Sequence, residues 1–368
     1  MQKIVLNKGI EQIEGIFLNV KVKKYLLVCD SCFEFLPIRE ELETISVPYI
    51  KFNHFTFNPL YEDVCKGVET FLAESCDAIV AVGGGSAIDV AKCIKLFCKM
   101  NPKECYLSQE YKDTGIPLIA VPTTAGTGSE STRYAVIYYN GEKQSVAHEC
   151  IIPDYAILES KVLRTLPDYQ KKSTLLDALC QAVESWWSVN STEESMGYSK
   201  TAVELIMKYK NDYINKNSEE AAEKMMLAAN YAGRAINITQ TTAAHAMSYK
   251  LTSLYGIPHG HAVAVCLPEV WEYMLGHIED CIDTRGGEYL SNVFEDIAKA
   301  MGQKDAESAI QCFRDILWDF IMPVPWYRQK DLETLASSVN VTRLKNNPVA
   351  LSEEVLYGLY KNIMDRKR

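Results

Sequence analysis

From residue 24 the first half of the chain alternates between two hydrophobic periods. KYLLVC (24–29) is a continuous apolar run that predicts a buried strand, and the stretch to about Leu42 returns to helical spacing. VPYIKF (47–52) predicts a second strand and 60–75 an amphipathic helix. DAIVAVGGG (77–85) is an apolar run stopped by glycines, SAIDVAKCIKLFC (86–98) is helical in period, and IPLIAVP (116–122) is another strand. YAVIYY (134–139) and DYAILE (154–159) add later strands. Strands alternating with helices predict crossovers and a parallel sheet covered on both faces. After about residue 165 the strand signals fade. Long helical patterns such as LLDALCQAVESWWSV and SEEAAEKMMLAANYAGRAINI take over. The fold class expected is therefore α/β plus all-α. The boundary lies near LPDYQ (166–170), giving an α/β domain over 1–168 and a helical domain over 169–368.

Composition narrows the function classes. A chain of 368 residues suits two domains at ~100–200 residues each, and 48% hydrophobic with 23% charged residues is the balance of a globular protein with a core. The formal charge of −10 argues against a general binder of nucleic-acid phosphates, which needs clustered Lys and Arg. It leaves a local basic pocket for a small anion open. Twelve cysteines are scattered rather than arranged as a disulfide framework. One CxxC, Cys29–Cys32, has no second CxxC to complete a four-thiolate site; a redox pair and a chance pairing are its two readings. The start, MQKIVLNKGIEQIEG, lacks an apolar leader core, and no run approaches ~18 apolar residues. A cytoplasmic protein without membrane or nucleic-acid partners is expected, as a homodimer acting on a small molecule.

Candidate chemistry begins at the glycines. Val82-Gly83-Gly84-Gly85-Ser86 joins a buried strand to a helix, where free N–H groups and the helix dipole favour an anion. The motif is neither GxGxxG nor a P-loop, and a plain tight turn has the same residues. A second loop, 122–130 (PTTAGTGSE), also leaves the carboxyl end of a strand, the ligand-binding end in open α/β sheets. Two such loops point to a nucleotide. Of six histidines, His245 and His259 flank one helix-to-helix passage, and Asp177 lies on a helix with Gln181 one turn on. A carboxylate with two imidazoles suits Zn²⁺ or Fe²⁺ and leaves positions open for a substrate oxygen. Structural roles for the same residues are the alternative.

Taken together, GGGSAID (83–89), PTTAGTGSE (122–130), PDYAILE (153–159), DALCQAVES (177–185) and IPHGHAVAV (257–265) resemble the iron-containing, group III alcohol dehydrogenase family over nearly the whole chain. The resemblance implies an N-terminal Rossmann-like nucleotide-binding domain and a C-terminal helical metal-binding domain. It also implies hydride transfer between NAD(P)H and a carbonyl, with a divalent metal, Fe²⁺ or Zn²⁺. Its cofactor contacts fall on Gly83, Gly84, Gly85, Ser86 and Asp89, on Thr123, Thr124 and Thr127, and on Lys143. Asp30 matches the acidic residue that holds the ribose hydroxyls; a carboxylate there repels a 2′-phosphate, so NADH is expected over NADPH. The metal ligands fall on Asp177, His245 and His259, with Gln181 where the family has a further histidine. A second departure is Tyr249, where many members carry a histidine in the proton relay; it is the catalytic candidate, as a hydrogen-bond donor or as packing.

DALCQA, TTAAHAMSY and PHGHAVA, with STRYAVIYYNGEKQSVAHECIIPDYAILES, resemble the branch that reduces phosphonoacetaldehyde to 2-hydroxyethylphosphonate. A phosphonate dianion needs cations near the carbonyl site. Arg133, His148, Lys250 and His261 are the candidates. A short-chain alcohol, diol or butanol-type dehydrogenase, and a nucleotide-binding protein that has lost catalysis, are the competing readings.

Overall fold

The computed structural model describes residues 2–366, which divide into two compact units. The first comprises 1–167 with 217–230, and the second 168–216 with 231–368. The division between Pro167 and Asp168 leaves the segment 217–230 with the first unit, apart from the rest of the helical half.

The first unit contains β1 (Lys3–Leu6), α1 (Ile10–Val20), β2 (Tyr25–Cys29), α2 (Arg39–Glu43), β3 (Tyr49–Phe52), α3 (Tyr61–Ala73), β4 (Ala78–Gly83), α4 (Gly85–Phe97), β5 (Leu118–Pro122), β6 (Tyr134–Tyr139), β7 (Glu142–Ala147) and β8 (Tyr155–Leu158). Six strands form one parallel sheet in the order β1-β8-β5-β4-β2-β3. Every residue of β2, β4 and β5 is buried, which is why these strands are unbroken apolar runs without alternation. Edge strands β1 and β3 are only partly covered. The YAVIYY strand does not join the sheet. It pairs antiparallel with β7 in a separate hairpin, Tyr134 opposite Ala147 and Tyr139 opposite Glu142. The stretch before Leu42, helical in period, is a 3₁₀ turn over Ser31–Phe35 followed by the short α2. Asp30 starts that turn by accepting the Cys32 N–H at 2.9 Å, so local capping overrides a longer helix.

The second unit is helical: α5 (Asp168–Trp187), α6 (Glu193–Lys216), the later part of α7 (Glu219–Thr239), α8 (Ala243–Tyr255), α9 (His259–Leu275), α10 (Gly287–Ala300), α11 (Ala306–Asp319), α12 (Gln329–Ser337), α13 (Val341–Leu344) and α14 (Glu353–Asp365). α5 and α9 are buried almost all round and pack on each other, while α10 keeps one apolar stripe. Trp187, Trp271 and Phe294 meet at ring separations of 5.5–6.0 Å, and each such pair adds about 0.5–1.5 kcal/mol beyond area burial. All twelve cysteines are free thiols; Cys29 of the CxxC is buried and Cys32 exposed. Among the described residues no helix is long and apolar enough to cross a membrane.

Candidate metal centre and nucleotide loops

In the first unit, the glycine turn is built by close approach. A Cβ on Gly83 would stand 2.6 Å from the Ala87 Cβ and 3.1 Å from Asp30 Oδ2, so only glycine lets β4 enter α4 beside the end of β2. The N-cap of α4, Gly84, has no side-chain cap. A Cβ on Gly85 would meet Thr127 Cγ2 at 3.0 Å, and one on Gly84 would meet Thr124 Cγ2 at 3.6 Å. The Thr123 N–H donates to the Gly83 carbonyl at 2.9 Å. Glycine turn, threonine loop and Asp30 therefore form one surface at the carboxyl ends of β2, β4 and β5. It leaves bare backbone at a helix N-terminus, the cradle a pyrophosphate needs. Ser86 Oγ is turned to the Phe57 carbonyl.

Asp89 is partly buried, accepting from Ser129 Oγ at 2.6 Å and from the Val136 N–H at 2.9 Å. Beside it the buried Lys92 ammonium donates to the Thr132 and Tyr134 carbonyls at 2.7 Å and to Ser129 Oγ at 3.1 Å. These two side chains pin the chain from Ser129 to Val136, and the sequence reading passed over Lys92. Burial pushes Asp89 up, against the pull of Lys92 and, further off, of Lys143 on β7.

The second unit holds the metal-ligating cluster. One ligand atom from each of Asp177, His245 and His259 lies within 4.8 Å of the others. Asp177 Oδ1 is 3.4 Å from His245 Nε2 and 4.0 Å from His259 Nε2. Asp177 and His245 side chains are each 4% exposed, and His259 is 38% exposed. Asp177 Oδ1 and His245 Nε2 are buried without a hydrogen bond. These two orphaned atoms, on α5 and α8, together with His259 at the start of α9, fit a divalent cation with an open side at His259. Burial works against the Asp177 carboxylate, but His245 and His259 outweigh it and hold it below its usual value. Burial likewise works against the His245 imidazolium, yet Glu184 and Asp177 carry it up to about 10.

Gly260 explains how α9 delivers His259. A Cβ there would stand 2.0 Å from the Ser173 carbonyl oxygen and 2.8 Å from the Asp177 Cβ. Helix α9 thus starts in direct backbone contact with α5. Gln181, one turn after Asp177, is buried and hydrogen bonded to that carboxylate. Tyr249 stacks flat on His259, ring centroids 5.7 Å apart at 10°. The residue that the sequence reading missed is Glu184. It is fully buried, takes the His245 Nδ1 hydrogen bond, and lies seven residues after Asp177, two turns along the same face of α5. That spacing was the available signal.

Among the substrate candidates, the Arg133 guanidinium is paired with Glu149 and donates to Tyr134 Oη at 3.1 Å. His148 Nδ1 accepts the Cys150 N–H at 3.1 Å and lies 2.9 Å from its thiol. His261 is buried; its Nδ1 is 2.7 Å from Tyr169 Oη, and burial pushes its pKa down. Lys250 follows Tyr249 on α8 and, among the described residues, forms no ion pair.

Both halves of the chain match known proteins. Residues 2–160 match the family model for iron-containing alcohol dehydrogenase, and residues 171–364 that for the Fe-containing alcohol dehydrogenase family, C-terminal. The chain is 32% identical to the phosphonoacetaldehyde reductase of Streptomyces viridochromogenes over 296 residues, 76% of this chain and 74% of that one. It is 37% identical to a probable alcohol dehydrogenase, EutG, of Salmonella typhimurium over 58% of this chain and 55% of that one. The sulfoacetaldehyde reductase of Bifidobacterium kashiwanohense, solved in complex with NAD+, superposes with a TM-score of 0.90 at 25% identity, covering 100% of this chain and 98% of that one. The chain belongs to the iron-containing alcohol dehydrogenase family, oxidoreductases that use NAD(H) and iron or a similar divalent metal.

Proposed function

We propose that the protein is a metal-dependent, NADH-linked reductase of a small anionic aldehyde, with phosphonoacetaldehyde, reduced to 2-hydroxyethylphosphonate, as its substrate. The observation that carries the reading is the convergence of the buried Asp177 and His245 with the half-buried His259, whose ligand atoms lie within 4.8 Å of one another. When bound, a divalent cation supplies Lewis acidity to a carbonyl oxygen, and NADH supplies the hydride. The chain's own residues hold and orient both. Asp177 sets an anionic charge beside two imidazoles, and Gln181 restrains that carboxylate through its hydrogen bond. The Tyr249 ring keeps His259 flat, and its hydroxyl serves as a hydrogen-bond donor toward the substrate rather than as an obligatory proton carrier. Gly83, Gly84, Gly85 and Ser86 take the pyrophosphate at the start of α4, with Thr123, Thr124 and Thr127 beside it, and Asp30 takes the ribose hydroxyls. Lys143 is a further ribose contact, and the α/β domain is the nucleotide-binding one. Asp89 acts from beneath, through Ser129 and Val136.

Support for an anionic substrate comes from two relatives whose names give acetaldehydes bearing an oxyanion group, phosphono in one and sulfo in the other. Lys250 is the cation best suited to such a group. Arg133 is committed to Glu149, His148 to Cys150, and His261 is buried beside Tyr169. The test is NADH oxidation over phosphonoacetaldehyde, sulfoacetaldehyde, succinic semialdehyde, lactaldehyde and butyraldehyde, with protein loaded with Fe²⁺, Zn²⁺ or Mn²⁺. The highest kcat/KM is expected for phosphonoacetaldehyde. A preference for butyraldehyde would overturn the anionic substrate, and full activity of His259→Ala would overturn the metal site.

A further inference from the structure

Glu184 is held by more donors than a packing role requires. Its Oε1 accepts the Thr242 N–H at 3.2 Å, the Thr242 hydroxyl at 2.8 Å and the His245 N–H at 3.2 Å, and its Oε2 meets His245 Nδ1. Helix α8 has Thr242 as N-cap, and Thr242 supplies no side-chain cap of its own. The cap comes instead from Glu184 on α5, where a carboxylate also suits the positive end of the helix. The directions of these bonds are determined. Trp187 Nε1, which can only donate, gives its hydrogen to Thr242 Oγ1 at 2.9 Å, so the Thr242 hydroxyl hydrogen goes to Glu184. A carboxylate can only accept, so the partner atom His245 Nδ1 carries a hydrogen. That leaves Nε2 as the ligating nitrogen, and Nε2 is the atom 3.4 Å from Asp177 Oδ1.

We infer that Glu184 is a positioning residue of the metal centre. It fixes both the place of His245, by capping the helix that carries it, and the nitrogen that His245 presents. The inference rests on the reading that Asp177, His245 and His259 hold the cation. Such an outer carboxylate on a ligating histidine is worth roughly 10–100-fold in metal affinity.

Glu184→Gln isolates the effect because the amide is nearly isosteric but has one acceptor and one donor end. If its oxygen faces His245 Nδ1, its NH₂ confronts the N–H donors of Thr242 and His245. If it is flipped, it donates to Nδ1, and the imidazole hydrogen must move to Nε2, the ligating position. Both orientations weaken the site. The measurement is the apparent Kd for Zn²⁺ of the full-length protein by chelator competition, for wild type, Glu184→Gln and His259→Ala, with circular dichroism to establish folding. Glu184→Gln is expected to stay folded and to bind zinc roughly 10–100-fold more weakly. Folded Glu184→Gln binding zinc within twofold of wild type would show a merely structural role. Should that variant not fold, ¹⁵N-histidine NMR of the zinc-loaded wild type decides the matter, with His245 assigned by its loss in His245→Gln. Zinc on Nε2 with hydrogen on Nδ1 is expected, and zinc on Nδ1 overturns the inference. Failure of the site itself reads differently: wild type then binds no zinc, or His259→Ala binds it unchanged, and the inference falls with the site.

Discussion

Replacing Gly260 by alanine tests how closely α5 and α9 must approach for the centre to exist. Helix propensity alone favours alanine by about 1 kcal/mol at a helical position. The structure gives the opposite sign. The new Cβ would stand 2.0 Å from the Ser173 carbonyl oxygen, a backbone atom that cannot swing away, and 2.8 Å from the Asp177 Cβ. Relief requires the start of α9 to move off α5 by about 1 Å, and overpacking of a close-packed interior costs about 1–3 kcal/mol. At roughly 2–4 °C per kcal/mol for a unit of this size, Tm of chelated protein should fall by about 2–12 °C. His259 adjoins the displaced residue, whereas ligand distances tolerate only about 0.2 Å. Zinc affinity should therefore fall, by roughly 10–100-fold if the displacement matters as much as loss of a residue that orients a ligand. Calorimetry of the chelated protein and zinc competition measure the two effects. A Gly260→Ala variant with wild-type Tm and zinc affinity would refute the close-approach argument. Gly197→Ala, at an exposed position of α6 with nothing within 4 Å of the added Cβ, should instead gain about 0.5–1 kcal/mol.

The His245 imidazole, raised to about 10 by the two carboxylates, has consequences of opposite sign for stability and for metal binding. Its folded pKa lies above the unfolded value of about 6.5, so its contribution is complete below that pH and is lost as pH rises through ~10. Melts of chelated protein should thus show a falling Tm from pH 7 to 10. Because a cation displaces the Nε2 proton, zinc affinity should rise about tenfold per pH unit between roughly pH 7 and 9, and a flat profile would contradict it. Tyr249→Phe preserves the stack on His259, so kcat should drop about tenfold or less, near 1.4 kcal/mol; a thousandfold loss with metal intact would make Tyr249 the catalytic acid. Asp30→Gly should narrow the preference for NADH over NADPH, and an unmodified enzyme that favours NADPH in kcat/KM would remove Asp30 from the ribose.

Much of this protein is legible along the chain because its strongest signals are local. Unbroken apolar runs at 25–29, 78–83 and 118–122 identify strands buried on both faces, and the glycines after Gly83 end one of them at a helix start. The helical texture after Pro167, and the pairing of His245 with His259 around one short passage, are also local. What the sequence withheld depends on partners distant in the chain. Strand β1 pairs with β8 some 150 residues away, and a four-residue edge strand has too little pattern to be seen alone. YAVIYY has the composition of a sheet strand, yet it pairs with β7 outside the six-stranded sheet, because pairing is decided by neighbours and not by propensity. Asp89 matches a cofactor motif, and only the fold brings Ser129 and Val136 to its oxygens. Glu184 reads as one more acid on a helix until α8 brings three N–H and O–H donors and an imidazole to it. Sequence by itself determined which residue types could make a metal and nucleotide site. Only tertiary packing, through the backbone contact at Gly260 and the buried carboxylate of Glu184, decided which atoms face one another, since burial and direction are properties of the assembled neighbours.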